Sequence, residues 1–211
     1  KGTLQSGRIE HDATWRCDTI DVWTQFSRLS FDALYSRFIK EGYVDRLQQN
    51  AHLIITGGEP LLYQKELIEF LKYFEQQSGF LPLIEIETNG TICPIPELVN
   101  KVSFFNLSPK LSNSGMLKVK RFNEDVLRFF STLSQTQFKF VVACQQDLDE
   151  LIVDFVEFLS LKSDKVTLMP AADSRDSLLL LGPVVCAFAK DYGFHFSSRL
   201  HVLLWDKKTG V

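Results

Sequence analysis

The 211-residue chain has no CxxC pair: its four cysteines, Cys17, Cys93, Cys144 and Cys186, lie far apart. That spacing suggests no disulfide framework and fits a reduced, cytoplasmic protein. No apolar run reaches the roughly 18 residues that a membrane-spanning helix needs. The stretch Lys1–Arg8 lacks the apolar segment of a secretory signal, and no initiator Met precedes it. Positive charge is not in excess. With 23 Lys and Arg against 26 Asp and Glu, the net charge is −3, which gives no electrostatic footprint for nucleic acid. Gly, Pro and Ser are scattered, which argues against a disordered linker. A phosphate-binding loop, GxxxxGK followed by Ser or Thr, is also missing.

What is present is a hydrophobic fraction of 45% and a repeated pattern. From His52 onward, short apolar runs alternate with helical periodicity. Residues 53–56, 83–88, 103–107, 138–144, 166–169 and 200–205 read as strands. Residues 62–77, 94–100, 123–133, 147–159 and 174–192 read as helices, and 30–47 as a further helix capped by Ser30. In 62–77, Leu67, Phe70, Leu71 and Phe74 recur at helical spacing; Gly182-Pro183 predicts a kink in 174–192. Strand–helix alternation predicts a parallel sheet, open or closed into a barrel. With no strand legible before residue 52, the expected fold is an α/β, partial TIM-like barrel in one domain spanning 1–211.

The densest signal is Thr56-Gly57-Gly58-Glu59-Pro60. An apolar strand runs into two glycines, an acid and a proline that suits a first helical turn. Glycines let a ligand approach the backbone where a Cβ would block it. Glu59 offers an acceptor for a cationic group such as an amino acid's amine. For a lone Gly-Gly an ordinary turn is the better explanation, so the weight comes from the other strand ends. Glu87-Thr88-Asn89-Gly90-Thr91, Ser108-Pro109-Lys110 and Met169-Pro170-Ala171-Ala172 each stand where a predicted strand stops, the rim on which βα barrels carry their sites.

These segments, in this order, resemble the 7-carboxy-7-deazaguanine synthase branch of the radical S-adenosylmethionine superfamily. Trp15-Arg16-Cys17-Asp18-Thr19 looks like the end of the cluster loop. Thr56–Pro60 resembles the GGEP motif, Glu87–Thr91 the ETNGT strand end and Ser108–Lys110 the SPK turn. Residues 199–211, beginning RLHVLLW, resemble the C-terminal signature. The resemblance covers the chain from about residue 15 to its end.

It implies a lyase that contracts 6-carboxy-5,6,7,8-tetrahydropterin to 7-carboxy-7-deazaguanine with loss of ammonia. It implies a 4Fe-4S cluster held by Cys17, and magnesium held in part by Thr19. S-adenosylmethionine would be held by Arg16, Cys17, Asp18, Gly58, Glu59, Ser108, Pro109, Lys110, Met169, Pro170, Ala171 and Ala172. Thr56 and Val211 would contact substrate. A flavodoxin-like reducing partner and a homodimer are implied as well, with no nucleic-acid or membrane partner. The pattern departs from the family in three places, the first being that no counterpart of the family's first strand, with its glycine-rich substrate segment, is found. The superfamily's CxxxCxxC finds Thr14 where a cysteine belongs, and Met169–Ala172 keeps only the proline of QPMD. Residues 1–16 resemble the remnant of an insertion between the second and third cluster cysteines, which places the other two upstream of Lys1.

Other residues have plainer readings. Cys144 and Cys186 read as packing residues, and Cys93 matches no motif. His201 is either a satisfied strand histidine or a ligand. Phe104-Phe105 and Phe129-Phe130 read as core. Lys118-Val119-Lys120-Arg121 reads as a solvated loop too short to bind RNA. Two rival functions remain open. One is another radical S-adenosylmethionine enzyme such as an activase, opposed by the SPK turn and the C-terminal signature. The other is a non-catalytic scaffold that has lost its cluster.

Overall fold

The computed structural model describes Ala13 and residues 27–208. Arg16, Cys17, Asp18, Thr19 and Val211, all expected at the site, lie outside the described residues. The helical segment predicted at 30–47 is two helices, α1 (Phe31–Lys40) and α2 (Tyr43–Gln48). Ser30 caps α1 by accepting from the Ala33 N–H. The break falls at Gly42, whose φ of 70° is a left-handed conformation that glycine adopts without steric cost.

Six strands follow among the described residues: β1 (His52–Ile55), β2 (Leu83–Thr88), β3 (Phe104–Leu107), β4 (Thr136–Val142), β5 (Val166–Pro170) and β6 (His195–Phe196). They form one all-parallel sheet in sequential order, open rather than closed into a barrel. The connections carry α3 (Gln64–Ser78), α4 (Pro96–Val99), α5 (Lys118–Arg121), α6 (Glu124–Thr132), α7 (Gln145–Leu151) and α8 (Arg175–Tyr192). A 3-10 turn, Pro60–Tyr63, leads into α3, and a π-helical stretch, Ile152–Glu157, follows α7. Asn123 caps α6 through the Val126 N–H, and Ser174 forms a reciprocal capping box with Ser177 at α8.

Side chains alternate across the pleat, so each strand presents two unlike faces. Ile84, Ile86, Phe105, Leu107, Phe138, Phe140, Val142, Val166 and Leu168 point to one face and are buried. They form one core with Phe70, Phe74, Leu127, Phe130, Leu148, Phe155 and Val185 from the helices. Phe105 meets Phe130 at 5.3 Å and Phe140 meets Phe155 at 4.9 Å, both edge-on, a favoured aromatic geometry. The opposite face carries Thr56, Glu85, Glu87, Asn106, Ser108, Gln137, Lys139, Thr167 and Met169. Phe104 belongs to it and is 46% exposed, so the Phe104-Phe105 pair is half core and half open face.

Residues 200–205 are a helix, α9 (Leu200–Trp205), not the expected strand; the last strand is the two-residue β6. His201 is therefore an exposed helical residue. Asp206, at φ 55°, ends α9. Arg175 at the start of α8 donates to the carbonyls of Leu203 and Leu204, and its N–H to Asp206, which seats α9 against α8. Cys144 and Cys186 are exposed and do not pack in the core. No helix of the described residues is long and apolar enough to cross a membrane.

Candidate active site on the strand-end rim

The parallel sheet brings the C-terminal ends of β1, β2, β3 and β5 to one rim, and with them the Thr56–Glu59, Thr88–Thr91, Ser108–Lys110 and Pro170–Ala172 segments. Gly57 and Gly58 have φ of 84° and 40°, and a Cβ built on either meets no atom of the described residues within 4 Å. The glycines are thus demanded by the backbone turn, and no described residue fills the space above them.

Glu59 holds this corner together. Its carboxylate accepts from Thr88 Oγ1 at 2.7 Å, from the Asn89 N–H at 2.8 Å and from the Leu61 N–H at 3.2 Å. An ionised carboxylate has about four lone-pair positions, so an ammonium donor can still be accepted. The Asn89 side chain accepts from the N–H and hydroxyl of Thr91, closing the next turn. Thr56 donates to Glu87 at 2.9 Å, across neighbouring strands. The β1–β2 corner is a self-satisfied network, and such networks fix geometry.

The Ser108–Lys110 turn is anchored differently. The Ser108 N–H donates to the Thr88 carbonyl at 2.8 Å, as if extending the strand, and Lys110 Nζ lies 3.2 Å from Ser108 Oγ. Arg121 reaches the turn from below. It is 5% exposed and donates to the carbonyls of Lys110 and Met116 while pairing with Glu150 at 2.8 Å. Glu150 in turn accepts from the N–H and hydroxyl of Ser112. The segment expected as a solvated loop is therefore the short helix α5, and Arg121 is a buried clamp. Its partner lies 29 residues downstream, beyond the reach of any local pattern.

Two contacts fix the Met169–Ala172 segment. The Ala171 N–H donates to the Val142 carbonyl at 3.0 Å, and Arg199 donates to the Ala172 carbonyl at 2.7 Å. Val202 of α9 packs with Ala172 and Leu178. The RLHVLLW segment thus joins the rim through Arg199 and Val202.

Below the rim, Glu85 accepts from His52 at 3.1 Å and from the Asn106 amide, while His52 stacks on Phe104 at 5.4 Å. Gln137 donates to Thr167 at 2.9 Å. Glu85, Asn106, Gln137 and Lys139 did not stand out in the sequence; alternation with buried partners in the strands was the only signal available for them.

Among the described residues, no group of three His, Cys, Asp or Glu side chains is placed to hold a metal ion. Cys93, Cys144 and Cys186 are exposed and far apart in the chain, and partial desolvation of the Cys93 sulfur raises its pKa above the ordinary value. The described residues alone therefore do not fit an iron–sulfur cluster, and its expected ligand, Cys17, lies outside them, as does Thr19.

No family model matches the chain. Three curated relatives do, and all are named 7-carboxy-7-deazaguanine synthase. The protein of Pyrobaculum aerophilum is 33% identical over 159 residues, covering 75% of this chain and 67% of its own length. That of Halobacterium salinarum is 26% identical over 210 residues, 91% of this chain and 78% of its own. That of Hyperthermus butylicus is 28% identical over 158 residues, 72% of this chain and 64% of its own.

Proposed function

The chain belongs to the 7-carboxy-7-deazaguanine synthase family, and on that footing we propose that it is a lyase contracting 6-carboxy-5,6,7,8-tetrahydropterin to 7-carboxy-7-deazaguanine with loss of ammonia, a step toward 7-deazapurines such as queuosine. The observation that carries the reading is geometric. Four segments far apart in sequence, three of them resembling family motifs and the fourth standing in the place of another, meet on one rim of a parallel sheet.

In this reading S-adenosylmethionine lies across the rim. Gly58 gives the backbone access, Glu59 accepts from the methionine amine, and Ser108 and Lys110 supply donors. Met169, Pro170, Ala171 and Ala172 contribute through their backbone. Arg16, Cys17 and Asp18 complete the cofactor site, with Cys17 as a thiolate ligand of a 4Fe-4S cluster and Thr19 as an oxygen ligand of magnesium. Thr56 and Val211 contact the pterin. When bound, the cluster and S-adenosylmethionine supply one-electron radical chemistry. The chain's own residues bind, orient and exclude water. The Glu59 network holds the β1 and β2 ends in fixed relation, and the Arg121–Glu150 clamp fixes the Ser108–Lys110 turn. Preorganisation of this kind lets binding energy be spent on the reacting geometry.

The same reading takes the chain as a single domain of a cytoplasmic homodimer that draws electrons from a flavodoxin-like donor. The exposed apolar side chains Leu179, Leu180, Val184, Leu203 and Trp205 are compatible with a subunit contact.

The test is anaerobic turnover of the full-length, iron–sulfur-reconstituted protein with S-adenosylmethionine, carboxytetrahydropterin and magnesium. Formation of 7-carboxy-7-deazaguanine, lost in Cys17→Ala and lowered more in rate than in S-adenosylmethionine affinity by Thr19→Val, is the expected result. A reconstituted protein that makes no such product overturns the reading.

A further inference from the structure

The open face of the sheet holds one cation whose position the site as described does not use. Lys139 stands in the middle of β4, paired in register with Thr167 of β5. It shares a face with Gln137, and the Leu107–Phe138 pairing sets Ser108 beside it on β3. Lys139 is half-buried. Removing an ammonium from water is costly unless an anion or several acceptors replace the water. No hydrogen bond or ion pair engages Lys139 among the described residues.

The acids of this face do not serve it. Glu85 and Glu87 lie on β2, two strands away, about 10 Å at the usual strand spacing. Glu85 is engaged by His52 and Asn106, and Glu87 by Thr56. The neighbours on β4 and β5 are neutral: Gln137 bonds to Thr167, and Val141 and Met169 are apolar; Lys110, 3.2 Å from Ser108 Oγ, adds charge of the same sign. Lys139 thus carries a charge on the open face, in register beside Ser108, where nothing of the described chain neutralises it.

We propose that Lys139 is a specificity-determining residue that receives a ligand carboxylate at the β3–β4 corner. The inference rests on the proposed function only for the identity of that ligand. Both molecules of that reaction carry a carboxylate, one on the methionine moiety of S-adenosylmethionine and one on the pterin. In either case the ammonium meets the anion directly, with Ser108 as a neighbouring hydroxyl donor. A charge-assisted contact of this kind is roughly twice as strong as a neutral one and discriminates against a ligand that lacks the carboxylate.

The experiment is anaerobic titration calorimetry on the full-length reconstituted protein, wild type, Lys139→Gln and Lys139→Arg. Two ligand pairs are compared: S-adenosylmethionine with its decarboxylated analogue, and carboxytetrahydropterin with the tetrahydropterin lacking the carboxyl group. Lys139→Gln is expected to weaken one carboxylate ligand at least about tenfold. The matching carboxylate-free compound should bind both proteins equally, and Lys139→Arg should restore most of the loss. The pair that shows the gap identifies the source of the carboxylate. Equal weakening within both pairs, or no weakening in either, overturns the inference while wild-type binding of the pterin leaves the proposed function standing. A wild-type protein that binds neither carboxylate ligand overturns both.

Discussion

The two corners of the strand-end rim satisfy their polar groups in opposite ways. At the β1–β2 corner the acid is used by the chain itself: Glu59 accepts from Thr88, Asn89 and Leu61, and Thr56 and Glu87 pair with each other. At the β3–β4 corner the turn is held from outside by Arg121 and Glu150, and the cation on the sheet, Lys139, is left over. The first corner is built to keep a shape. The second is built to keep a shape and also to meet an anion. Ligand selectivity is therefore expected to depend on the β3–β4 side, and rigidity on both.

The largest expected effect comes from breaking the clamp under the second corner. Arg121→Met leaves Glu150, 15% exposed, without its partner. Removing one member of a buried pair costs about 3–5 kcal/mol, and replacing both by apolar residues costs much less. Urea unfolding of Arg121→Met, Glu150→Leu and the double variant should therefore show strong non-additivity. Additive losses would mean that the two side chains act separately.

Next in size is Glu59→Gln. The substitution keeps one acceptor oxygen but sets an amide N–H against the Asn89 N–H or the Thr88 hydroxyl. A loss of about 1–3 kcal/mol is expected for a donor left unmatched. It is to be read in the unfolding midpoint, together with faster amide exchange at Asn89. Unchanged exchange there would show that the β1–β2 corner does not depend on this carboxylate.

The comparison also explains what could be read from the sequence. The strand ends were legible because each is marked locally: Gly57-Gly58 after β1, Asn89-Gly90 after β2, Pro109 after β3 and Pro170 at the end of β5. The caps Ser30, Asn123 and Ser174 were legible for the same reason, since a cap bonds within three residues. The clamp was not, because Arg121 finds its partner on another helix and its acceptors at Lys110 and Met116. Residues 200–205 were misread as a strand because six residues are too few to separate a period of two from one of 3.6. In the structure only Val202 of that helix is buried, and Arg175 and Asp206 fix the helix through its ends. Gly42 split one expected helix into two by its positive φ, a demand that composition alone does not announce.

A smaller effect belongs to Gly58→Ala. The added Cβ meets no atom of the described residues, so the cost expected from them is that of a left-handed φ, about 1 kcal/mol. Thermal unfolding measures it. S-adenosylmethionine affinity should fall by more than that strain accounts for if the open space above Gly58 holds the ligand. The smallest effect on stability is expected from Lys139→Gln, within about 0.5 kcal/mol, because no described contact is lost. A large destabilisation there would mean that the ammonium is already paired within the protein, and the contrast between the two corners would collapse.

The central claim is that the strand-end rim is the S-adenosylmethionine site. Amide hydrogen exchange of the full-length, reconstituted protein, with and without S-adenosylmethionine, tests it most directly. The account predicts slowed exchange together at residues 57–59, at 108, 110 and 111, and at 171–172, with α3 and α6 on the covered face unchanged. Protection that spares residues 108–111, or that falls on the helices instead of the strand ends, would contradict it.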